Sequence, residues 1–538
     1  MCQPIEWDFP MHAPGDILRS VTTRRAVQLL LALFAILLCW KDVSWALRPG
    51  LFPVFDELSN PALFLCGSYH QIVHFFPDSF FGDRPLGWAF VRLLADLFGF
   101  DYTRQVACLL AIHFGSCGMA FLLFRRLGVS VPISIAGLGL FGSLWTTAQT
   151  ATYPGEAHDV ICLFFLLGSA LAILWQRRGA AVLSAVLFLA ALRSKEFAIV
   201  TPVALTVLVA LRLPRMPLRN ALASLARRLW MHYLILLVFG LRYLSLYRSY
   251  RTGFSHDNPY VMDFHAATLL KSLSYYTALI FGADESPWQL PPLLLALGLG
   301  AVLCWAVLRR RAGIGFGVCA YVLLLLPVSL IPNRAPFYVY APQVFLILAL
   351  CLLAEEALAS VAALRRFRGL SFRKQVEPIR TPERSLPETP RRLFPSWARN
   401  DYLGWVAGVC IALACLLWCV EFRRSTYFRD RVNWNLMVRR AAMRSARDVD
   451  AQLPPMGPGT HVYVNHSRDT TPWLFVAPCP YLQLVNRQRS IDCVIDKPTD
   501  QLRKLYASDR GARYFVEYHD DGSLTVTDSA RPAALPNR

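Results

Sequence analysis

Two adjacent carboxylates, Asp56 and Glu57, stand just past the first apolar run of the chain. A paired acid at the mouth of a membrane helix offers a general base that can take the proton of a hydroxyl group. An ordinary solvated acidic turn is the plainer alternative. Further along lies Gly82-Asp83-Arg84-Pro85-Leu86-Gly87. An Arg at a bilayer surface suits a lipid phosphate because its planar fork can bond two oxygens, although Asp83 and Arg84 also fit a salt bridge at a helix start. Thr152-Tyr153-Pro154-Gly155-Glu156-Ala157-His158-Asp159 brings a His to a membrane interface, where it can bind an acceptor, assist proton transfer, or simply be an interfacial polar residue. Arg193-Ser194-Lys195-Glu196 interrupts two apolar runs. Ionisable groups at that depth are expensive and point to function by default; a Lys195–Glu196 tip capping a helical hairpin is the competing reading.

Helices crossing a bilayer must position these residues. The 538 residues are 55% hydrophobic and 17% charged, with a mean hydropathy of +0.38. A soluble chain of this size cannot bury so much apolar surface, so lipid must solvate much of it. The formal net charge of +19 comes from short basic loops between apolar runs, which fits positive-inside topology better than nucleic-acid binding. Most of the cysteines lie within apolar runs, among them Cys108, Cys117, Cys304, Cys410 and Cys415, and no Cys/His spacing suggests zinc.

Arg125-Arg126, Arg177-Arg178, the segment from Arg212 to Arg228, Arg309-Arg310-Arg311 and the linker from Arg365 to Arg399 all read as cytoplasmic. Spans consistent with them run near 26–47, 104–124, 131–150, 159–176, 179–194, 197–213, 229–247, 289–308, 313–331, 339–358 and 402–421. The first run can also be read as a signal peptide, but Lys41 can snorkel and let it continue as an anchor. Eleven crossings from a cytoplasmic N-terminus (1–25) leave the C-terminus outside, in what is most simply a bacterial inner membrane. Residues 264–283 are apolar, yet crossing there would expose Arg309-Arg310-Arg311, so a helix at the outer interface is expected. The basic, Pro-containing linker 359–401 reads as cytoplasmic and suited to anionic lipid. The expected fold is an α-helical polytopic membrane protein with about eleven transmembrane helices: a core over 26–358, a last helix at 402–421, and a small extracytoplasmic α/β domain over 422–538. In that domain a helix is expected near 424–452, with strands at 460–464, 473–477 and 482–486. Arg513-Tyr518 and Ser523-Thr527 should pair around Asp521-Gly522 as a hairpin. Cys479 and Cys493 can pair there in an oxidising compartment, and Asn465-His466-Ser467 is a sequon in a eukaryotic setting.

Taken in order, these segments resemble the polytopic glycosyltransferases of the GT-C type that use polyprenyl-phosphate sugars, in particular the protein O-mannosyltransferases and their bacterial relatives. Phe55-Asp56-Glu57 is similar to their paired-acid motif, and Asp83-Arg84-Pro85-Leu86 through Phe98-Gly99-Phe100-Asp101 to their "RPL … FG" stretch. Tyr153 through Asp159 resembles the "HP…E" loop, with Tyr153 where many relatives carry His, and Leu192-Arg193-Ser194-Lys195-Glu196 resembles the "LSKE" element. A weaker echo is Leu326-Pro327 followed by Arg334 and Tyr338-Val339-Tyr340. The resemblance implies transfer of a hexose, mannose-like or similar, from a lipid phosphate to a hydroxyl of a protein, lipid or glycan on the outer side. Asp56, with Glu57 beside it, would be the base. Arg84, with Lys195 or Arg242, would neutralise the departing phosphate, and Asp83, His158, Glu196 and Arg334 would line the substrate site. Cationic side chains suffice for such a leaving group, so no cofactor is required, although Asp56, Glu57 and Asp83 can also ligate Mg or Mn. A flippase of lipid-linked saccharide and a catalytically silent envelope scaffold are the alternatives.

Overall fold

The computed structural model describes residues 14–54, 84–175, 177, 179–253, 263–280, 291–331, 334–371, 402–466, 478–486, 491–494, 499–509, 513–518 and 524–528. Asp56, Glu57 and Asp83 lie outside the described residues, as do the expected strand 473–477, the turn Asp521-Gly522 and most of the basic linker.

The helices are α1 (Pro14–Val43), α2 (Pro85–Phe98), α3 (Tyr102–Leu127), α4 (Val131–Ser143), α5 (Trp145–Ala151), α6 (Ala157–Ile173), α7 (Ala180–Ser194), α8 (Thr201–Arg212), α9 (Leu218–Gly253), α10 (Ala266–Ile280), α11 (Pro292–Leu308), α12 (Ala312–Ser329), α13 (Tyr340–Ser371), α14 (Tyr402–Arg424) and α15 (Thr426–Gln452), followed in the tail by α16 (Pro478–Asn486) and α17 (Thr499–Ser508). Among the described residues seven helices are long and apolar enough to cross a bilayer, eight if α4 and α5, bent by 66° at Leu144, form one span. Helices α7, α8 and α11 occupy three further expected spans with 15, 12 and 17 residues. Rows of exposed apolar side chains, such as Leu29, Leu33, Ile36 and Leu37 on α1 and Leu234, Leu237 and Leu241 on α9, would be unstable in water and are satisfied by lipid. The chain is an integral multi-pass membrane protein.

Local signals set several boundaries. Asp101 caps α3 by accepting from the Arg104 N–H at 3.1 Å, and Gly128, at φ 104°, ends it in the left-handed conformation that a side chain would strain. Helices α3, α6, α7, α8, α12 and α13 share one continuous core, while α1, α4 and α14 pack in a second. Helix α10 covers the expected interfacial segment. Its Thr277 hydroxyl meets the Tyr321 hydroxyl of α12 at 2.6 Å, and Tyr276 and Leu279 join the main core.

The tail is an α/β unit. Strands β1 (His461–His466), β2 (Asp492–Val494), β3 (Arg513–Tyr518) and β4 (Leu524–Asp528) form a sheet in the order β2-β1-β3-β4. Strand β1 is parallel to β2 and β3, and β3 and β4 make the expected antiparallel hairpin. The expected strand 482–486 is instead part of α16. Pro478 and Pro480 preset its first turn, and Tyr481 and Leu482 turn together into the tail core. The Gln483 amide donates to the Ile491 carbonyl at 2.9 Å. A disulfide joins Cys479 to Cys493, with Cα atoms 5.6 Å apart, tying α16 to β2.

Candidate active site

The site assembles at the end of the bundle that carries the tail. Pro85, with its fixed φ, starts α2 and leaves Arg84 at its head. The Arg84 guanidinium forks onto Glu196, with Nε to Oε2 at 2.6 Å and Nη2 to Oε1 at 2.7 Å. Burial opposes the Arg84 charge, but the carboxylates around it, Glu196 first and then Asp159 and Glu156, together outweigh it and raise the guanidinium above its ordinary pKa. Lys195 breaks the helix after α7 by adopting an extended backbone, φ −152° and ψ 130°, before the 3-10 turn Glu196–Val200. Successive side chains on extended backbone diverge. Glu196 therefore faces Arg84 while Lys195 reaches Asp159 at 2.7 Å and Glu156 at 3.4 Å.

Glu156 and Asp159 sit three residues apart at the head of α6, a spacing that puts both on one face. Pro154 opens the 3-10 turn that delivers them. The Lys195 ammonium also lies 5.8 Å from the Phe337 ring and 5.6 Å from the Tyr338 ring, within cation–π range. Lys195 and Asp159 are each only 1% exposed. A buried ion pair is a poor device for stability alone, since desolvation offsets most of its attraction. Five ionisable groups from three segments thus meet here: two cations and three carboxylates.

Beside them His158 stacks edge-on against Trp88, ring centroids 4.4 Å apart. Both its ring nitrogens and Asp159 Oδ1 are buried with no hydrogen-bond partner among the described residues. Unsatisfied buried polar atoms are costly and mark a place where a ligand or ordered water belongs. Gly87 makes this approach possible. A Cβ there would stand 2.7 Å from His158 Nδ1 and 3.0 Å from the Ser194 carbonyl oxygen.

Of the residues singled out in the sequence, Arg84, His158, Lys195 and Glu196 come together. Arg334 stands three residues before Phe337. Its Nε donates to the Ser272 hydroxyl at 3.2 Å, and its guanidinium lies 5.8 Å from the Tyr275 ring, midway along α10. Arg242 lies on α9 one turn beyond Phe239, whose ring underlies Arg193 at 5.2 Å. Sequence reasoning passed over Glu156, Asp159, Trp88, Phe337 and Tyr338 as site residues. The two carboxylates were readable from their i, i+3 spacing beside His158, and Tyr338 lay in the weaker echo after Arg334; Trp88 and Phe337 carried no local signal. Among the described residues no group of three or more His, Cys, Asp or Glu is arranged to hold a metal ion, and the divalent ion considered at Asp56 and Glu57 falls outside them.

No family model and no curated protein matches the chain. Solved structures similar to it include ArnT from Cupriavidus metallidurans in the apo state, at 14% identity and a TM-score of 0.45, covering 92% of this chain and 93% of that one. The same protein bound to undecaprenyl phosphate gives 14% identity and a TM-score of 0.42 over the same shares. The archaeal oligosaccharyltransferase AglB from Archaeoglobus fulgidus, in complex with an inhibitory peptide and a dolichol-phosphate, gives 10% identity and a TM-score of 0.45, covering 94% of this chain and 74% of that one.

Proposed function

We propose that this protein is a membrane glycosyltransferase that moves a hexose from a polyprenyl-phosphate carrier to an acceptor hydroxyl, on the side of the bilayer where the tail domain lies. One observation carries the reading. Four segments that resemble the lipid-phosphate-dependent glycosyltransferases, far apart in sequence, bring Arg84, Glu156, Asp159, Lys195, Glu196, Phe337 and Tyr338 into one buried cluster.

In the proposed reaction the acceptor oxygen attacks the anomeric carbon, the bond from that carbon to the phosphate oxygen breaks, and the acceptor proton passes to Asp56. The leaving group is a lipid monophosphate whose growing charge needs cations already in place. Arg84 and Lys195 meet that need in a particular way. Their carboxylate partners hold them oriented before the donor arrives, so little reorganisation accompanies charge development. His158, whose two ring nitrogens are buried with no hydrogen-bond partner among the described residues, is available to bond the sugar or the phosphate. Mannose is the hexose that the sequence resemblance favours, with a protein, lipid or glycan as acceptor. The positive-inside reading of the basic loops supports an outer-side reaction, in the simplest case at a bacterial inner membrane.

The test is transfer of radiolabel from a panel of polyprenyl-phosphate sugars by purified wild type and Asp56→Asn in detergent. Label should leave the lipid phase with the wild type and fall at least a hundredfold with the variant, the usual scale for a lost general base. A folded wild type that is silent on every donor would remove the enzyme reading and leave transport or scaffolding.

A further inference from the structure

Arg439, in the middle of α15, is among the largest fully buried side chains of the molecule, at 1% exposure. Nothing in its sequence surroundings, Val438-Arg439-Arg440 in an Arg-rich helix, sets it apart. The fold sends it out of the tail domain and into the bundle. Its Nη1 donates to the Phe52 carbonyl at 3.1 Å, four residues before Asp56. Its guanidinium carbon lies 3.9 Å over the Tyr102 ring and 5.8 Å from the Tyr153 ring. Tyr102 in turn donates its hydroxyl to the Thr152 carbonyl at 2.6 Å, and the Glu156 N–H donates to the Tyr153 carbonyl at 2.9 Å. One side chain therefore touches the segment that leads to the paired acid and the turn that delivers Glu156, His158 and Asp159.

Docking the tail does not require it. Val438, Ala442, Ala446 and Val449 of α15 already pack with Phe52, Val54 and Tyr481, and with Phe100 and Tyr153 at the edge, in an apolar seam. Burying a guanidinium in such a seam is expensive, which an apolar residue of similar volume would avoid. What it adds is direction: a planar fork fixed between two aromatic faces and a carbonyl. We propose that Arg439 is a positioning residue, by which the tail domain holds the 51–54 segment and the Tyr153–Glu156 turn at the separation the candidate active site needs. The catalytic part of this assignment rests on the proposed glycosyltransfer.

Hydrogen exchange and transfer kinetics on the full-length protein test the two parts separately, using Arg439→Met and Arg439→Lys. In Arg439→Met, exchange should rise at least tenfold in 51–54 and 150–157 and stay at the wild-type level in β1 and β3. kcat should fall tenfold or more, with the donor KM within twofold. Arg439→Lys keeps a cation over the tyrosines and should recover part of both losses. Unchanged exchange in the two segments overturns the proposal. So does a rise that spreads equally through β1 and β3 in both variants, or an unaltered kcat. A wild type that transfers no sugar yet shows the local exchange response removes the proposed function while the positioning assignment stands.

Discussion

Charged residues gather at both ends of the helix bundle, and the two ends hold them differently. At the end formed by the C-termini of α3 and α8 and the junction of α11 and α12, cations face outward and bond backbone. Arg212 donates to the Arg126 carbonyl at 3.1 Å, and Arg310 donates to the Leu213 carbonyl at 2.6 Å. Arg311 pairs with Glu356 at 2.7 Å with the side chains 49% and 29% exposed. Such contacts cap helix ends and anchor them at a bilayer surface. At the tail-bearing end the Lys195 pairs are sealed from solvent and the Arg84–Glu196 pair is nearly so, with side chains 13% and 3% exposed. Both of these cations are aimed by the carboxylates they meet. Charge at the first end is explained by topology; at the second, topology offers no reason to bury it. That contrast is what assigns chemistry to one end and anchoring to the other.

Removing one partner at each end would sharpen the contrast most. Lys195→Met should leave Asp159 and Glu156 as uncompensated buried charges, costing about 3–5 kcal/mol. It should appear as a large drop in thermal midpoint in detergent together with loss of sugar transfer. A variant that melts like wild type would mean that the carboxylates are already neutral or solvated. Gly87→Ala comes next. The added methyl meets His158 and the Ser194 carbonyl, and overpacking of this kind costs about 1–3 kcal/mol. Transfer should fall with it, and wild-type activity would show that the His158 position is not critical. Arg311→Ala should do least, about 0–1 kcal/mol as for other exposed pairs, with transfer unchanged. A strong loss of activity there would break the division of labour between the two ends.

The tail domain offers a second measure of what could be read in advance. The hairpin of β3 and β4 and the long helix α15 follow from alternation, a turn signal and helical propensity, all local properties. The segment 482–486 misled because Leu482 and Leu484 alternate as in a strand, whereas two prolines and the disulfide from Cys479 to Cys493 commit it to α16. Strand β2, three residues long, carried too little pattern to stand out from the loops around it.

Hydropathy and the placement of Arg and Lys were enough to establish a multi-pass membrane protein, because lipid demands long apolar helices whatever their partners. The same linear order exposed Arg84, His158, Lys195 and Glu196 as residues too polar for their surroundings. Which of them touch, and what else joins them, depended on packing. Only the fold could show that Arg84 answers to Glu196, 112 residues away, that Lys195 turns the other way to Asp159, and that Arg439 reaches into the bundle from the tail. Contacts of that range depend on where helices cross, and a crossing is fixed by side chains from many segments at once, such as the missing Cβ at Gly87.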